Sequence, residues 1–275
     1  MSVAMEIGRR LPLGRELPAA ALVEAEGDLH VWRIGLQADR AAMRHLSAIL
    51  APEEKARASG YRFESDARRF IVGRASLRRI LGHYLLRNPA QIELVRGPWG
   101  KPELAGSGKA RRVKFNASGS DDTGLVAVAI DREVGVDIES LRTMPELESI
   151  AERFFTASEK AAFRARSAEG RRDFFFRCWT RKEALAKAVG RGLTLPLERI
   201  ETQAGIVGAT PSVRIAGVPR ARWRVRDLAP GAGFAAALAV GDARSLGRPR
   251  RRPMAGADAD GDAFDWESID GFLME

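Results

Sequence analysis

The sequence predicts an α+β protein in which each half of the chain repeats a coarse order of helices and strands. Three observations carry that expectation. Asp66 to Leu86 sets Phe70, Ile71, Leu77, Ile80, Leu81, Tyr84 and Leu85 at the spacing of a long amphipathic helix, and Arg172 to Val189 reads as a second long helix. Short apolar runs such as Gly124 to Ile130, separated by Gly, Pro and paired acids, read as strands. A hydrophobic fraction of 45% over 275 residues is enough to fill the core of one large domain or two modest ones.

In chain order, His30 to Leu36 is a first strand built on Val31, Trp32, Ile34 and Leu36. A helix precedes Pro52. Pro52-Glu53-Glu54 opens the next, with proline in the first turn and acids at the positive end of the helix dipole. The long helix from Asp66 stops at Asn88-Pro89. Gly97 to Pro102 and Gly106 to Gly108 are loops with turn-forming glycines and prolines. Val113 to Asn116 is a short strand, and Gly124 to Ile130, apolar throughout, is a buried one. After Asp131-Arg132, Val134 to Ile138 is expected to return as its partner strand. Thr156-Ala157-Ser158-Glu159 matches a capping box, in which a hydroxyl and a carboxylate satisfy each other's backbone amides at a helix start. The second long helix ends at Gly190, suited to a left-handed cap. Ile200 to Val207, Val213 to Ile215, Ala221 to Leu228 and Phe234 to Val240 follow as strands.

These elements divide the chain into an N-terminal extension (1–27), an N-terminal subdomain (28–120), a C-terminal subdomain (121–243) and a tail (244–275). The tail is basic and proline-broken from Arg248 to Pro253, then acidic with interspersed aromatics, a composition expected to stay flexible. The formal net charge of +9 favours an acidic partner, be it nucleic acid, anionic lipid, a phosphorylated cofactor or a protein, without choosing among them. Runs such as Arg68, Arg69, Arg74, Arg78 and Arg79 read first as a solvated helix face. No long uncharged apolar stretch or apolar leader is visible, and the single cysteine, Cys178, is expected to be a small buried filler in a reducing compartment; a cytoplasmic location follows as an expectation.

Asp137 and Glu139 stand two apart on a strand, so both side chains leave one face while Val136 and Ile138 leave the other. Two hard oxygen donors side by side suit Mg²⁺, though an exposed strand edge with two ordinary acids has the same pattern. Glu183 and Lys187 stand four apart on the second long helix and share a face. An ordinary surface ion pair has that spacing too, yet the surrounding Phe174, Phe175, Phe176, Trp179, Leu185 and Val189 make the helix mostly apolar.

Four segments taken together are more specific: Gly100-Lys101-Pro102, Phe115-Asn116-Ala117-Ser118-Gly119-Ser120, Gly135-Val136-Asp137-Ile138-Glu139, and Trp179-Thr180-Arg181-Lys182-Glu183-Ala184-Leu185-Ala186-Lys187. In that order they resemble the signatures of the Sfp-type 4'-phosphopantetheinyl transferases. Pro52 to Arg57, Arg153-Phe154-Phe155 before Glu159, and Gly190 to Leu193 are similar to the family as well, so the likeness spans roughly residues 28 to 240. One departure stands out: Gly119 occupies the place of a histidine that in these enzymes helps hold the 3'-phosphate of coenzyme A.

The resemblance implies two pseudo-symmetric α+β subdomains, each a small antiparallel sheet packed with helices, with coenzyme A between them, in a monomer. It implies transfer of the phosphopantetheine arm of coenzyme A to a serine of an acidic acyl or peptidyl carrier protein. Asp137, Glu139 and Glu183 would then hold Mg²⁺, Glu183 would be the candidate base, and Lys187 would neutralise or protonate the departing phosphate. By the same likeness Arg57, Arg96, the Gly100-Lys101-Pro102 loop, Ser118 and Asp137 belong to the coenzyme A site; Arg69 and Arg74 are weighed as supplements and not adopted. His30, His45 and His83 match no metal or triad spacing. A nucleic-acid-binding protein is the rival suggested by the arginine runs, but it gives no reason for Asp137, Glu139 and Glu183 to coexist with Lys187; an inactive relative that only binds carriers is the rival suggested by Gly119.

Overall fold

The computed structural model describes residues 21–97, 99–202, 212–214 and 222–241. The first part of the chain runs β1 (Ala21–Glu26), β2 (Leu29–Gly35), α1 (Arg40–Ile49), α2 (Pro52–Gly60), α3 (Glu64–Leu85), β3 (Leu94–Arg96), β4 (Pro102–Leu104), α4 (Lys109–Arg112), β5 (Val113–Ser120) and β6 (Thr123–Ile130). The second runs β7 (Val134–Ser140), α5 (Leu147–Phe154), α6 (Ala157–Arg164), α7 (Ala168–Val189), β8 (Ser212–Arg214), β9 (Arg222–Leu228) and β10 (Phe234–Gly241). Two four-stranded antiparallel sheets result, ordered β1-β2-β6-β5 and β7-β10-β9-β8, with β3 and β4 forming a separate hairpin.

Alternation along each strand decides how the layers stack. In the first sheet Trp32, Ile34, Val126 and Val128 pack on Leu77, Ile80, Leu81 and Tyr84 of α3. Their neighbours Leu29, Val31, Leu125, Ala127 and Ala129 face the other way and meet Val134, Val136, Ile138, Ala236, Leu238 and Val240 of the second sheet. The remaining face of that sheet, with Ala235, Ala237 and Ala239, packs on the aromatic flank of α7 formed by Phe175, Phe176 and Trp179. The order is helix, sheet, sheet, helix, and both α3 and α7 are 22 residues long. This is the two-subdomain α+β architecture the sequence predicts. It also explains why β6 is apolar throughout: one face meets α3 and the other meets the second sheet.

Several expectations need correction. Val134 to Ile138 is a strand, but it does not pair with β6. Both edges of β6 are taken, by β2 and β5, so β7 has no place beside it and joins β10 in the other sheet. The sheets therefore divide between β6 and β7, at Asp131 to Glu133, and not at residue 120. Within the predicted extension, Ala21 to Glu26 is a strand that pairs with β2. The Gly97 to Pro102 loop sits at the tip of the β3–β4 hairpin, whose flanking strands the sequence did not announce. Ile200 to Thr202 form no strand, and the rest of that predicted strand lies outside the described residues, as does the tail from residue 244.

Local signals held where they rested on side-chain chemistry. The Thr156 hydroxyl accepts from Glu159 N, and the Glu159 carboxylate accepts from Thr156 N, as a capping box requires. Gly190 caps α7 at φ 79°, a conformation glycine adopts without penalty. Cys178 is buried, and burial raises its thiol pKa, as befits an inert core residue. His30 is likewise a core residue, hydrogen-bonded to the Tyr84 hydroxyl. Among the described residues no helix is long and apolar enough to cross a membrane.

Candidate active site

The site begins with a glycine. Odd-numbered residues of β7 face α7, and a Cβ on Gly135 would lie 2.1 Å from Ala184 O and 2.3 Å from Ala188 N. Only a residue without a side chain lets the strand approach the helix backbone this closely. The next odd positions, Asp137 and Glu139, then come up beside the helix face that carries Glu183 and Lys187. All four are withdrawn from solvent, with exposures of 1%, 4%, 3% and 2% respectively. The helix pair is therefore not a surface ion pair.

Lys187 Nζ lies 2.6 Å from Asp137 Oδ1 and donates at 3.0 Å to Ser118 Oγ, which itself donates to Asp137 Oδ1 at 2.9 Å. Burial opposes the ammonium charge, but Asp137 and Glu183 outweigh it and hold Lys187 above its ordinary pKa. Burial and the neighbouring Asp137 raise Glu183 to about 8, against the pull of Lys187. Two buried oxygens, Asp137 Oδ2 and Glu183 Oε1, have no hydrogen-bond partner, a costly state for a carboxylate unless a cation or donor joins it. Ser120 Oγ lies 3.4 Å from Glu139 Oε2. Unsatisfied hard oxygens of this kind fit Mg²⁺, which takes one or two carboxylates and completes its shell with phosphate and water. Asp137, Glu139 and Glu183 are adjacent without forming a closed cage: among the described residues no three acidic, histidine or cysteine side chains stand ready to hold a metal.

Asp137, Glu139 and Lys187 form one wall of a cleft of about 420 Å³. The opposite wall is α3, whose Arg69, Phe70, Gly73, Arg74 and Leu77 recur at one-turn spacing and line it as a stripe. Ile34 and Leu36 give an apolar floor, and Arg142 adds a third guanidinium. Burial pushes the Arg74 guanidinium down to about 10, helped by crowding from Arg57, Arg78 and Arg96 and opposed by Glu54. Arg69 and Arg74 thus belong to the cleft wall, and Tyr61, Phe70 and Arg142 are lining residues that the sequence did not single out. The one-turn recurrence from Asp66 to Leu77 was the available signal.

The other expected residues fall into two groups. Ser118 and Asp137 line the cleft, and so does Gly119, where a Cβ would lie 3.1 Å from Leu36 Cδ1. Arg57 and Arg96 do not line it, although both stand near enough to lower the pKa of Arg74; Arg57 lies over the Phe70 ring at 5.0 Å and Arg96 is exposed at the end of β3. Gly100 supplies the hairpin turn at φ 83°, and Pro102 faces Arg96 across the hairpin. Lys101 does not line the cleft either, and its ammonium donates to Val134 O and Ala188 O. Lys182, beside Glu183 in sequence, is also committed elsewhere: it lies 2.8 Å from Glu159 Oε2 and donates to Leu197 O and Ile200 O, binding α6 and the segment after α7 to the helix.

Comparison with known proteins agrees with this geometry. Residues 133–239 match the model of the 4'-phosphopantetheinyl transferase superfamily, and residues 37–131 match that of the 4'-phosphopantetheinyl transferase N-terminal region. The 4'-phosphopantetheinyl transferase HetI of Nostoc sp. (strain PCC 7120) is 37% identical over 213 residues, covering 78% of this chain and 87% of the relative. The chain belongs to the 4'-phosphopantetheinyl transferase superfamily. The 4'-phosphopantetheinyl transferase psf-1 of Bacillus pumilus is 33% identical over 158 residues, 58% of this chain and 65% of that protein. The human L-aminoadipate-semialdehyde dehydrogenase-phosphopantetheinyl transferase is 33% identical over 160 residues, 55% of this chain and 52% of its own length. As a phosphopantetheinyl transferase the protein is an enzyme. The two family models part between residues 131 and 133, where the two sheets part.

Proposed function

We propose that this transferase moves the 4'-phosphopantetheine arm of coenzyme A onto a serine hydroxyl of an acyl or peptidyl carrier protein, releasing 3',5'-ADP. The observation that carries the reading is the burial of Asp137, Glu183 and Lys187 together beside a cleft whose far wall presents Arg69 and Arg74. In the reaction the serine oxygen bonds to the β-phosphorus, and the bond from that phosphorus to the bridging oxygen breaks, its electron pair leaving with 3',5'-ADP.

Phosphoryl transfer depends mainly on positioning and on charge stabilisation, and the site is arranged for both. Arg69, Arg74 and Arg142 suit the phosphates, and the floor of Ile34 and Leu36 suits the uncharged part of coenzyme A. Asp137, Glu139 and Glu183 would hold Mg²⁺, which when bound neutralises charge on the diphosphate. Glu183 is the candidate base for the serine proton, directly or through water: burial and Asp137 raise its carboxyl to about 8, and a bound cation would favour the ionised form that accepts the proton. Lys187 keeps its proton at neutral pH and neutralises the departing phosphate, or protonates it. Ser118 holds Asp137 and Lys187 in register.

The net charge of +9 supports an acidic carrier, steered at low salt. A cytoplasmic monomer without nucleic-acid or membrane partners is the accompanying expectation, since one chain supplies both walls of the cleft. The test is incubation of apo carrier proteins with coenzyme A, Mg²⁺ and the enzyme, followed by intact-mass analysis. Absence of a phosphopantetheine mass gain on every carrier tried would sink the reading. Full transfer in excess chelator would remove the metal from it.

A further inference from the structure

Lys101 lies at the tip of the β3–β4 hairpin, in the first subdomain, yet every acceptor of its ammonium lies in the second or at its entrance. Nζ is 3.1 Å from Val134 O, 3.3 Å from Ala188 O and 3.4 Å from Glu133 Oε2. The side chain is 6% exposed. Its stem passes the cap of α7: a Cβ on Gly190 would touch Lys101 Cδ at 3.5 Å.

The two carbonyls are informative. Ala188 is in the last turn of α7, where carbonyls lack intrahelical partners and the helix dipole favours a cation. It follows Lys187 directly. Val134 opens β7, immediately before Gly135, the point where strand and helix backbones touch, and three residues before Asp137. One ammonium therefore joins the ends of the two elements that carry the Lys187–Asp137 pair, and Lys101 is not itself among the residues that line the cleft.

We propose that Lys101 is a positioning residue that clamps the end of α7 to the start of β7 and so sets the spacing of Lys187 and Asp137, acting on turnover and not on nucleotide affinity. The inference rests on the function proposed above. It departs from the expectation, carried by resemblance, that this lysine contacts the nucleotide.

The experiment compares wild type with Lys101→Met, which keeps the stem and removes the donor. Three quantities are measured: kcat at saturating coenzyme A and carrier, the Kd of coenzyme A by calorimetry, and amide exchange over residues 187–190. The clamp requires kcat to fall about tenfold or more, Kd to stay within about twofold, and exchange at the end of α7 to quicken. Weakening of coenzyme A binding by about tenfold or more, with or without a loss of turnover, overturns the proposal, as does wild-type behaviour in all three. Should Lys101→Met fail to fold, Glu133→Ala removes one acceptor and leaves the carbonyls. It should lower kcat about two- to fivefold at unchanged Kd, and any other pattern counts against the clamp. If the wild type itself transfers nothing, the functional reading fails, while the Kd and exchange measurements still decide the role of Lys101.

Discussion

Replacing Glu183 by glutamine should cost activity and raise stability in the same protein. The carboxyl is buried beside Asp137, and its pKa rises from an ordinary 4.5 to about 8. Because the folded value is the higher one, the native state keeps a proton that the unfolded chain has already lost between these two pH values. The contribution of Glu183 to stability is therefore complete below about pH 4.5, declines through the window, and is gone above about pH 8. At ~1.4 kcal/mol per pH unit, that window corresponds to a ceiling of ~5 kcal/mol, reduced to the extent that Lys187 and the surroundings relax around the charge. Glutamine has nearly the same shape and does not ionise, so it imitates the protonated carboxyl at every pH.

The assay is urea unfolding of both proteins at pH 5 and pH 9 in the presence of chelator. Near pH 5 the two should be close. At pH 9 Glu183→Gln should be the more stable by a few kcal/mol, below the ~5 kcal/mol ceiling. Its transfer rate should fall about a hundredfold or more, since the neutral amide neither accepts the serine proton nor offers a metal a charged ligand. Parallel stability curves across this range would refute the placement of an uncompensated carboxyl in the site, whatever the activity showed.

Three further outcomes follow from the same geometry. Gly135→Ala puts a methyl group 2.1 Å from Ala184 O, so strand and helix must separate; a loss of ~3 kcal/mol or more is expected in denaturant unfolding, and wild-type stability would contradict the direct contact. Lys187→Ala should reduce kcat by about a hundredfold with the fold intact by circular dichroism, and an unchanged rate would remove its role at the leaving phosphate. Gly119→His must displace Leu36, whose Cδ1 would lie 3.1 Å from the new Cβ, and should raise the preference for coenzyme A over dephospho-coenzyme A; relative use that does not change would show that this position does not sense the 3'-phosphate.

What the sequence disclosed, it disclosed through local rules. Alternation along Gly135 to Glu139 placed Asp137 and Glu139 on one face and Val136 and Ile138 on the other, and the structure puts the first pair against α7 and the second between the sheets. The cap at Gly190 and the Thr156–Glu159 box are likewise local and were found where expected. Long-range facts were not legible. Nothing near Val134 states that both edges of β6 are already occupied, so a tight reversal after Asp131 looked like a hairpin. The arginines were hard for a related reason: a cation on an amphipathic helix has the same spacing whether it borders solvent or a cleft, and although both pair with Glu54, only packing separates Arg74, which lines the cleft, from Arg78, which donates to Pro89 O and Ile92 O. Lys101 shows the converse. Its motif was legible, but the destination of its ammonium depends on a helix end 87 residues away.

The position of the site follows from how two sheet edges meet. β5 and β7 are both edge strands, and an edge with free amides and carbonyls invites another strand. Here alternate side chains of β5 take part of that role: Asn116 Oδ1 accepts from Val136 N, Ser118 reaches Asp137, and Ser120 Oγ accepts from Ser140 N. A strand laid along β7 would have taken the Val136 and Ser140 amides that these side chains occupy. Short hydroxyl side chains instead hold the two sheets together while leaving the Asp137 and Glu139 carboxylates on the wall of the cleft. The spacing Asn116, Ser118, Ser120 therefore serves the same seam as the spacing Asp137, Glu139: one period of two holds the subdomains together, and the other supplies the acids that their junction encloses.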